Sequence, residues 1–295
     1  MTFRITERSI AANTLYGLQS SQARLGQLQA QMSGGKAISR PSDSPTGTAS
    51  AMQLRSDLRL AAQHARNAQD GTAWLGTLDS ALTGSINLVQ QARDLTLQGM
   101  SAGSADSPAA REAVAVQIDG LRQSLLAQAN TTHLGRPVFG GTTAGSQAYD
   151  AAGNYLGDDG AVLRTVAPGT RVRVDASGPA AFGIPPTGVF GVLATISAHL
   201  RSDPSALAGD LDALDTAATG MRAQLAGVGT RYTQLTQLGQ TATDRQDNMT
   251  AQLSEIEDID LPKTIIDLQL QQTAYQAALA ATAKVVQPSL ADYLR

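Results

Sequence analysis

The sequence predicts a mainly α protein: an elongated helical bundle or coiled coil carrying a small β-rich inserted domain. Three observations support this class. Apolar residues recur at steps of three and four over long stretches. The 295 residues contain no Cys and only 4% aromatic side chains. Glycine is unevenly spread, with 12 of the 28 lying between residues 135 and 191. A thick globular interior draws on large rings, whereas the 42% hydrophobic content here is mostly Ala, Leu and Val, which suits thin helical packing.

The elements follow in order. Leu15, Leu18, Leu25, Leu28 and Met32 line one face of a first helix, which Gly34-Gly35 stops. Ser44-Pro45, Ser107-Pro108 and Asp203-Pro204 mark helix starts, because Pro loses nothing at the first helical position and the preceding side chain accepts from orphan amides. Asp260, ahead of Pro262, marks a fourth. From Leu54 the positions Leu58, Ala61, Ala65, Ala68, Thr72, Leu75, Leu82, Ile86 and Val89 keep a helical period that Asp79 interrupts, and the alanines imply close helix approach. Val114, Ile118, Leu121 and Leu125 continue in a shorter helix expected to end near His133, with Gly135 before Pro137 as a stop.

Residues 135–191 hold 5 of the 11 prolines and 5 of the 11 aromatics, and VLRTVAPGTRVRVDASG alternates in period two. This stretch is expected to protrude as the β-rich insertion. A helical stretch around Val189 to Leu200 follows. From Leu207 to Ile256 the steps of four and three persist for seven heptads, broken only by Gly239 and Gln246, as in a rod of roughly 75 Å. Leu261, Ile265, Leu268, Tyr275, Leu279 and Val286 form a last stripe. The expected segments are therefore 1–44, 45–134, 135–191, 192–256 and 257–295. The first and last stripes are too narrow to stand alone in water, so they should pair with each other or with other subunits and serve as the assembly interface.

Net charge is −3 and the isoelectric point near 5.6, without the basic footprint of a nucleic-acid binder. Residues 1–70 balance at +4 and residues 201–295 at −5, so the two ends are complementary. The longest apolar run, Val189 to Ile196, is less than half of the roughly 20 residues a membrane-spanning helix needs. MTFRITERSI lacks an apolar core behind its charges, so no cleaved signal peptide is expected, and an extracellular protein would need a route without one.

Chemistry finds little support. His64, His133 and His199 lie far apart without ligand spacing, and no phosphate loop, dinucleotide fingerprint or nucleophile elbow occurs. GGTTAG at Gly140 to Gly145 reads as a turn. Asp150, Asn154, Asp158 and Asp159 offer oxygen ligands, yet their spacing fails the calcium loop and suits hairpin turns. Glu255, Glu257, Asp258 and Asp260 sit at a helix junction, where acids favour the next N-terminus. Trp74 reads as packing. No enzyme, metal or cofactor is expected.

The stretch SGGKAISRPSDSPTGTASAMQLRSDLR, Ser33 to Arg59, with ARNAQDGTAWLGTLDSAL, Ala65 to Leu82, resembles the N-terminal region of bacterial flagellins and their relatives. LAGVGTRYTQL and SEIEDIDLPKTIIDLQLQQTAYQAALAATAKVVQPSLADYLR resemble the matching C-terminal region. FRITERS, RPSDSP, Trp74 in AWL and SLADYLR are most similar to the branch of that family found at the hook-filament junction. SGGK departs from a more usual SSGK, and an Asp before the second Pro of the turn is missing. The resemblance implies a structural subunit that self-associates into a ring-like layer between hook-associated protein 1 (FlgK) and flagellin. It further implies export by the flagellar type III route and a chaperone at the C-terminal segment. A short filament flagellin and a secreted helical adhesin or needle-tip module are the alternatives.

Overall fold

The computed structural model describes residues 3–101 and 107–286. They divide into two compact units, the first within 1–59 and 247–295, the second 60–246. No helix among the described residues is long and apolar enough to cross a membrane.

The elements, in chain order, begin with helix α1 (Phe3–Gly34), helix α2 (Pro45–Met100) and helix α3 (Pro108–Ala129). Two hairpins follow, β1 (Thr132–His133) with β2 (Arg136–Pro137), and β3 (Leu163–Ala167) with β4 (Thr170–Arg173). Helices α4 (Gly178–Phe182), α5 (Val189–Ser202), α6 (Leu207–Glu257) and α7 (Leu261–Val286) complete the chain.

The four cap signals work as their chemistry requires. Ser44 Oγ accepts from the Gly47 amide at 3.1 Å, and Ser107 Oγ from that of Ala110 at 3.4 Å. Asp260 Oδ1 accepts from the Lys263 amide at 3.1 Å. Asp203 accepts from Ser205, but its helix opens with a single 3₁₀ turn, Pro204–Ala206, before α6 begins. At the end of α1, Gly35 takes φ +67°, the left-handed conformation that lets the chain leave a helix without a Cβ clash.

In the second unit, α2 and α6 pack through matched heptads. Ala61, Ala68, Leu75, Leu82, Val89 and Thr96 are buried at seven-residue spacing on α2, as are Leu214, Met221, Val228 and Leu235 on α6. Gly239, an apparent break in the pattern, is a contact: a Cβ there would lie 3.3 Å from the Ala68 Cβ. Beyond residue 74 the buried face of α2 widens to take in Trp74, Leu78, Ala81, Ser85 and Ala92, because α3 packs there as well. Asp79 stays exposed, and Leu78 takes the position its charge vacates.

Helix α3 ends at Ala129 rather than near His133. Asn130 redirects the chain: its side chain accepts from the amides of Ala148 and Tyr149 at 2.8 and 2.9 Å and donates to the Tyr149 carbonyl at 2.9 Å. Gly135 then serves a hairpin turn, not a helix stop. The 135–191 stretch also holds little strand. Register is Leu163↔Arg173 to Ala167↔Thr170, with an irregularity between Thr165 and Ala167. Phe139, Tyr149, Phe182 and Phe190 meet edge-on or stacked, with ring centroids 4.9–5.8 Å apart. These rings belong to the same continuous core as Leu75, Leu82, Ile118 and Leu214, so the stretch is folded into the second unit instead of enclosing a core of its own.

Polar side chains bind this stretch to the helices. The buried Asp175 carboxylate accepts from the Val162 amide at 2.8 Å and from both arms of Arg173 at 2.9 and 2.7 Å. Arg231 of α6 donates to the Asp175 carbonyl at 2.7 Å. Arg122 of α3 donates to the carbonyls of Phe190 and Ala152, and Arg201 of α5 bridges Glu112 and Asp119 of α3.

Candidate assembly surface

The first unit brings the two ends of the chain together. Its centre is the segment between α1 and α2 docked on the junction between α6 and α7. The Ala37 amide donates to the Glu257 carbonyl at 2.6 Å, and the Ile259 amide to the Gly35 carbonyl at 3.2 Å. Around this backbone bridge, Lys36 Nζ bonds Asp258 Oδ1 at 2.5 Å and lies 3.6 Å from Glu257, while Arg55 Nη2 donates to Glu257 Oε2 at 2.8 Å. Glu257 is buried, and both of its cationic partners are exposed. The Lys36–Asp258 hydrogen bond lowers the Asp258 carboxyl and raises the Lys36 ammonium from their ordinary values. The complementary charge of the two ends thus resolves into named pairs.

The turn itself is tied down. Asp43 Oδ2 accepts from the Ser39 amide and hydroxyl at 3.1 Å and from the Arg40 amide at 2.9 Å. Those bonds, the Arg40 amide foremost, hold the Asp43 carboxyl below the usual carboxylate range. Gly47 closes the site, since a Cβ there would come 2.6 Å from Ile38 Cδ1. The acids at residues 255–260 therefore divide their work: Asp260 caps α7, whereas Glu257 and Asp258 grip the facing segment.

Beyond this latch, α1 packs along α7. Gln271 Nε2 donates to Ser21 Oγ at 2.7 Å across the pair. Of the eleven expected interface residues, Leu28 is buried, and Leu18, Leu25, Met32, Leu268 and Tyr275 are half-buried. Leu15, Leu261, Ile265 and Leu279 stay exposed, and the Val286 side chain lies outside the described residues. The stripes therefore meet each other only in part.

The remaining exposure is more extensive than the stripes indicate. Ile266 and Leu270, 64% and 68% exposed, lie on the side of α7 away from Thr264, Leu268 and Gln271, and Tyr16 of α1 is exposed too. Ala277 and Ala281 follow at helical spacing, which extends a second apolar strip along this side of α7. Among the described residues, nothing covers Ile266 or Leu270. The adjacent pair Ile265-Ile266 was the available signal, because neighbouring residues on a helix cannot share a face.

The other expected sites are occupied by local structure. Asp150 accepts from the Asn154 amide and side chain, both at 2.8 Å, and Asp158 from the Thr142 amide and hydroxyl at 2.7 and 2.9 Å, which are turn contacts. His64 approaches the Thr165 carbonyl, and His133 lies against Trp74. His199 pairs with Asp210 at 2.7 Å, a contact across eleven residues that local spacing gives no hint of.

Comparison with known proteins agrees with this geometry. The chain is 25% identical to the flagellar hook-associated protein 3 of Escherichia coli over 94% of its own length and 95% of that protein's. It is also 25% identical to the Bacillus subtilis flagellin, with 96% of each chain covered. Bacillus cereus FlgL superposes with a TM-score of 0.60 at 20% identity, covering 68% of this chain and 99% of that one. The flagellar junction protein FlgL of Legionella pneumophila gives 0.58 at 15%, covering 70% and 99%. Residues 5–143 match the bacterial flagellin N-terminal helical region and residues 211–294 the C-terminal helical region, so the chain belongs to the flagellin family.

Proposed function

We propose that this chain is a structural subunit of the hook-filament junction of the bacterial flagellum, acting as a mechanical adaptor and not as an enzyme. The similarity to hook-associated protein 3 along nearly the whole chain carries the reading. The apolar outer side of α7 supports it, since Ile266 and Leu270 are suited to burial between subunits. In this reading α1 and α7 form an inner layer, with Leu15, Leu261, Ile265 and Leu279 turned toward neighbouring copies. The latch at Lys36, Arg55, Glu257 and Asp258 fixes how those helices leave α2 and α6. Hook-associated protein 1 (FlgK) on one side and flagellin on the other are the proposed neighbours. Export by the flagellar type III route, with a chaperone holding the C-terminal segment, completes the proposal.

The Bacillus subtilis flagellin is matched at the same identity, so the test must separate a junction subunit from a bulk filament subunit. Quantifying the chain in sheared flagella does so. A trace component beside abundant flagellin is expected, and a chain that makes up most of the filament mass would overturn the junction role.

A further inference from the structure

We propose that the tip of the β1–β2 hairpin is a knob that seats in the groove between α2 and α3 of a second copy of this chain; this rests on the assembly reading above. The tip is Leu134-Gly135, with φ of +50° and +78°. A two-residue turn with both φ positive favours Asn, Asp or Gly. Leu134 is the one non-glycine residue with positive φ among the described residues. It is also the most exposed of their large apolar side chains, at 84%. Folding alone gives no reason to place a bulky apolar side chain in a strained conformation in water, and such positions concentrate at functional contacts.

The base beneath the tip is firm. The His133 ring lies 5.2 Å from that of the buried Trp74, and its Nδ1 is 3.2 Å from Thr77 Oγ1. The Arg136 guanidinium stands 6.0 Å from the Trp74 centroid. Arg136 makes no ion pair among the described residues, although its charge acts on Asp158.

A complementary surface exists elsewhere on the same molecule. A groove of about 590 Å³ between α2 and α3 has Leu95 and Leu121, both half-buried over the core, at its floor with Gly120, and Asp94, Gln91, Gln117 and Ser124 along its polar rim. A Cβ on Gly120 would meet nothing within 4 Å, so that wall is open. Asp94, at the edge, has no ion-pair partner among the described residues. Leu134 over Leu95 and Leu121, with Arg136 reaching Asp94, pairs apolar with apolar and cation with acid. Knob and groove are different patches of one chain, so the contact is heterologous and propagates into a ring or helix instead of closing as a dimer. The occupant is therefore a second copy.

The absence of native Cys makes cross-linking clean. Leu134→Cys and Gly120→Cys chains, differently tagged, are produced together, and the isolated flagella are oxidised. A heterodimer at least tenfold above that from Leu134→Cys with Thr233→Cys is expected. Asp94→Arg on the Gly120→Cys chain, which leaves the Trp74 base untouched, should cut the yield about fivefold, and Arg136→Asp on the other chain should restore it. A yield no better than the Thr233 control, or an Asp94→Arg chain that cross-links normally, would overturn the contact. If immunoblotting finds no chain in the flagella, the assembly reading fails and this contact falls with it; if the chain is present but uncross-linked, only the contact fails.

Discussion

Replacing Arg55 by Met takes the hydrogen-bonding cation away from Glu257 and leaves a buried carboxylate facing only the more distant Lys36 ammonium, 3.6 Å away. Stranding a fully buried charge costs about 3–5 kcal/mol and losing a charged hydrogen bond about 1.5–3. Arg55 is itself 57% exposed, which screens the pair, so the cost should fall near the lower figure, about 2 kcal/mol. At about 1.4 kcal/mol per tenfold, that is roughly a 30-fold increase in local opening. The reverse change, Glu257→Gln, removes the buried charge, keeps an acceptor for Arg55, and leaves both cations to water. Its cost should be about 0.5–1 kcal/mol, or roughly two- to fivefold. The reporters are the amides of Ala37 and Ile259, which bridge the latch and exchange with solvent only when it opens. Hydrogen exchange of these two amides should therefore rank Arg55→Met well above Glu257→Gln. Equal protection in the two variants, or none lost in either, would refute the reasoning that burial of Glu257 sets the asymmetry.

Leu28→Ala, at the buried centre of the α1–α7 contact, should cost about 2–4 kcal/mol and melt helical signal from that pair first by circular dichroism. Leu270→Glu, on the exposed side of α7, should leave the melting temperature of the isolated chain unchanged while lowering its incorporation into flagella, read by immunoblot. Asp43 is held below the usual carboxylate range, so its contribution is present above the unfolded value of about 3.9 and is lost only as pH falls through the lower folded value. The Ser39 and Arg40 amide resonances should accordingly titrate with a midpoint below about 3.9. Gly191→Ala in α5 should lower the melting temperature despite better helix propensity, because its Cβ would lie 2.1 Å from the Pro186 carbonyl oxygen. Gly229→Ala in α6, with nothing within 4 Å, should raise stability by up to about 1 kcal/mol.

What could be read from the chain alone was whatever is written locally. Ser44, Ser107 and Asp260 announce caps because a cap needs only its own side chain and the next three residues. The heptads of α2 and α6 were equally plain, since a seam repeats its signal many times. Contacts made across the fold were not legible. Asn130 ends α3 by bonding residues 148 and 149, so the more familiar Gly135 drew the boundary wrongly. The glycines, prolines, rings and period-two alternation of residues 135–191 mark a small β-rich insertion, but that its rings share one core with Leu75 and Leu214 was not legible, because where an aromatic side chain is buried depends on what faces it. Of the assembly surface, the stripes through Leu28 and Leu268 were visible, whereas Ile266 and Leu270 were hidden by an expectation of one apolar face per helix. Glu257 reads locally as a helix-junction acid, and its pairing with Lys36, 221 residues away in sequence, carries no local signal.

A deletion strain tests the junction role most directly. Electron microscopy should show hooks without filaments, while unassembled flagellin accumulates in the medium. Filaments of normal length on that strain would contradict the role assigned to the chain.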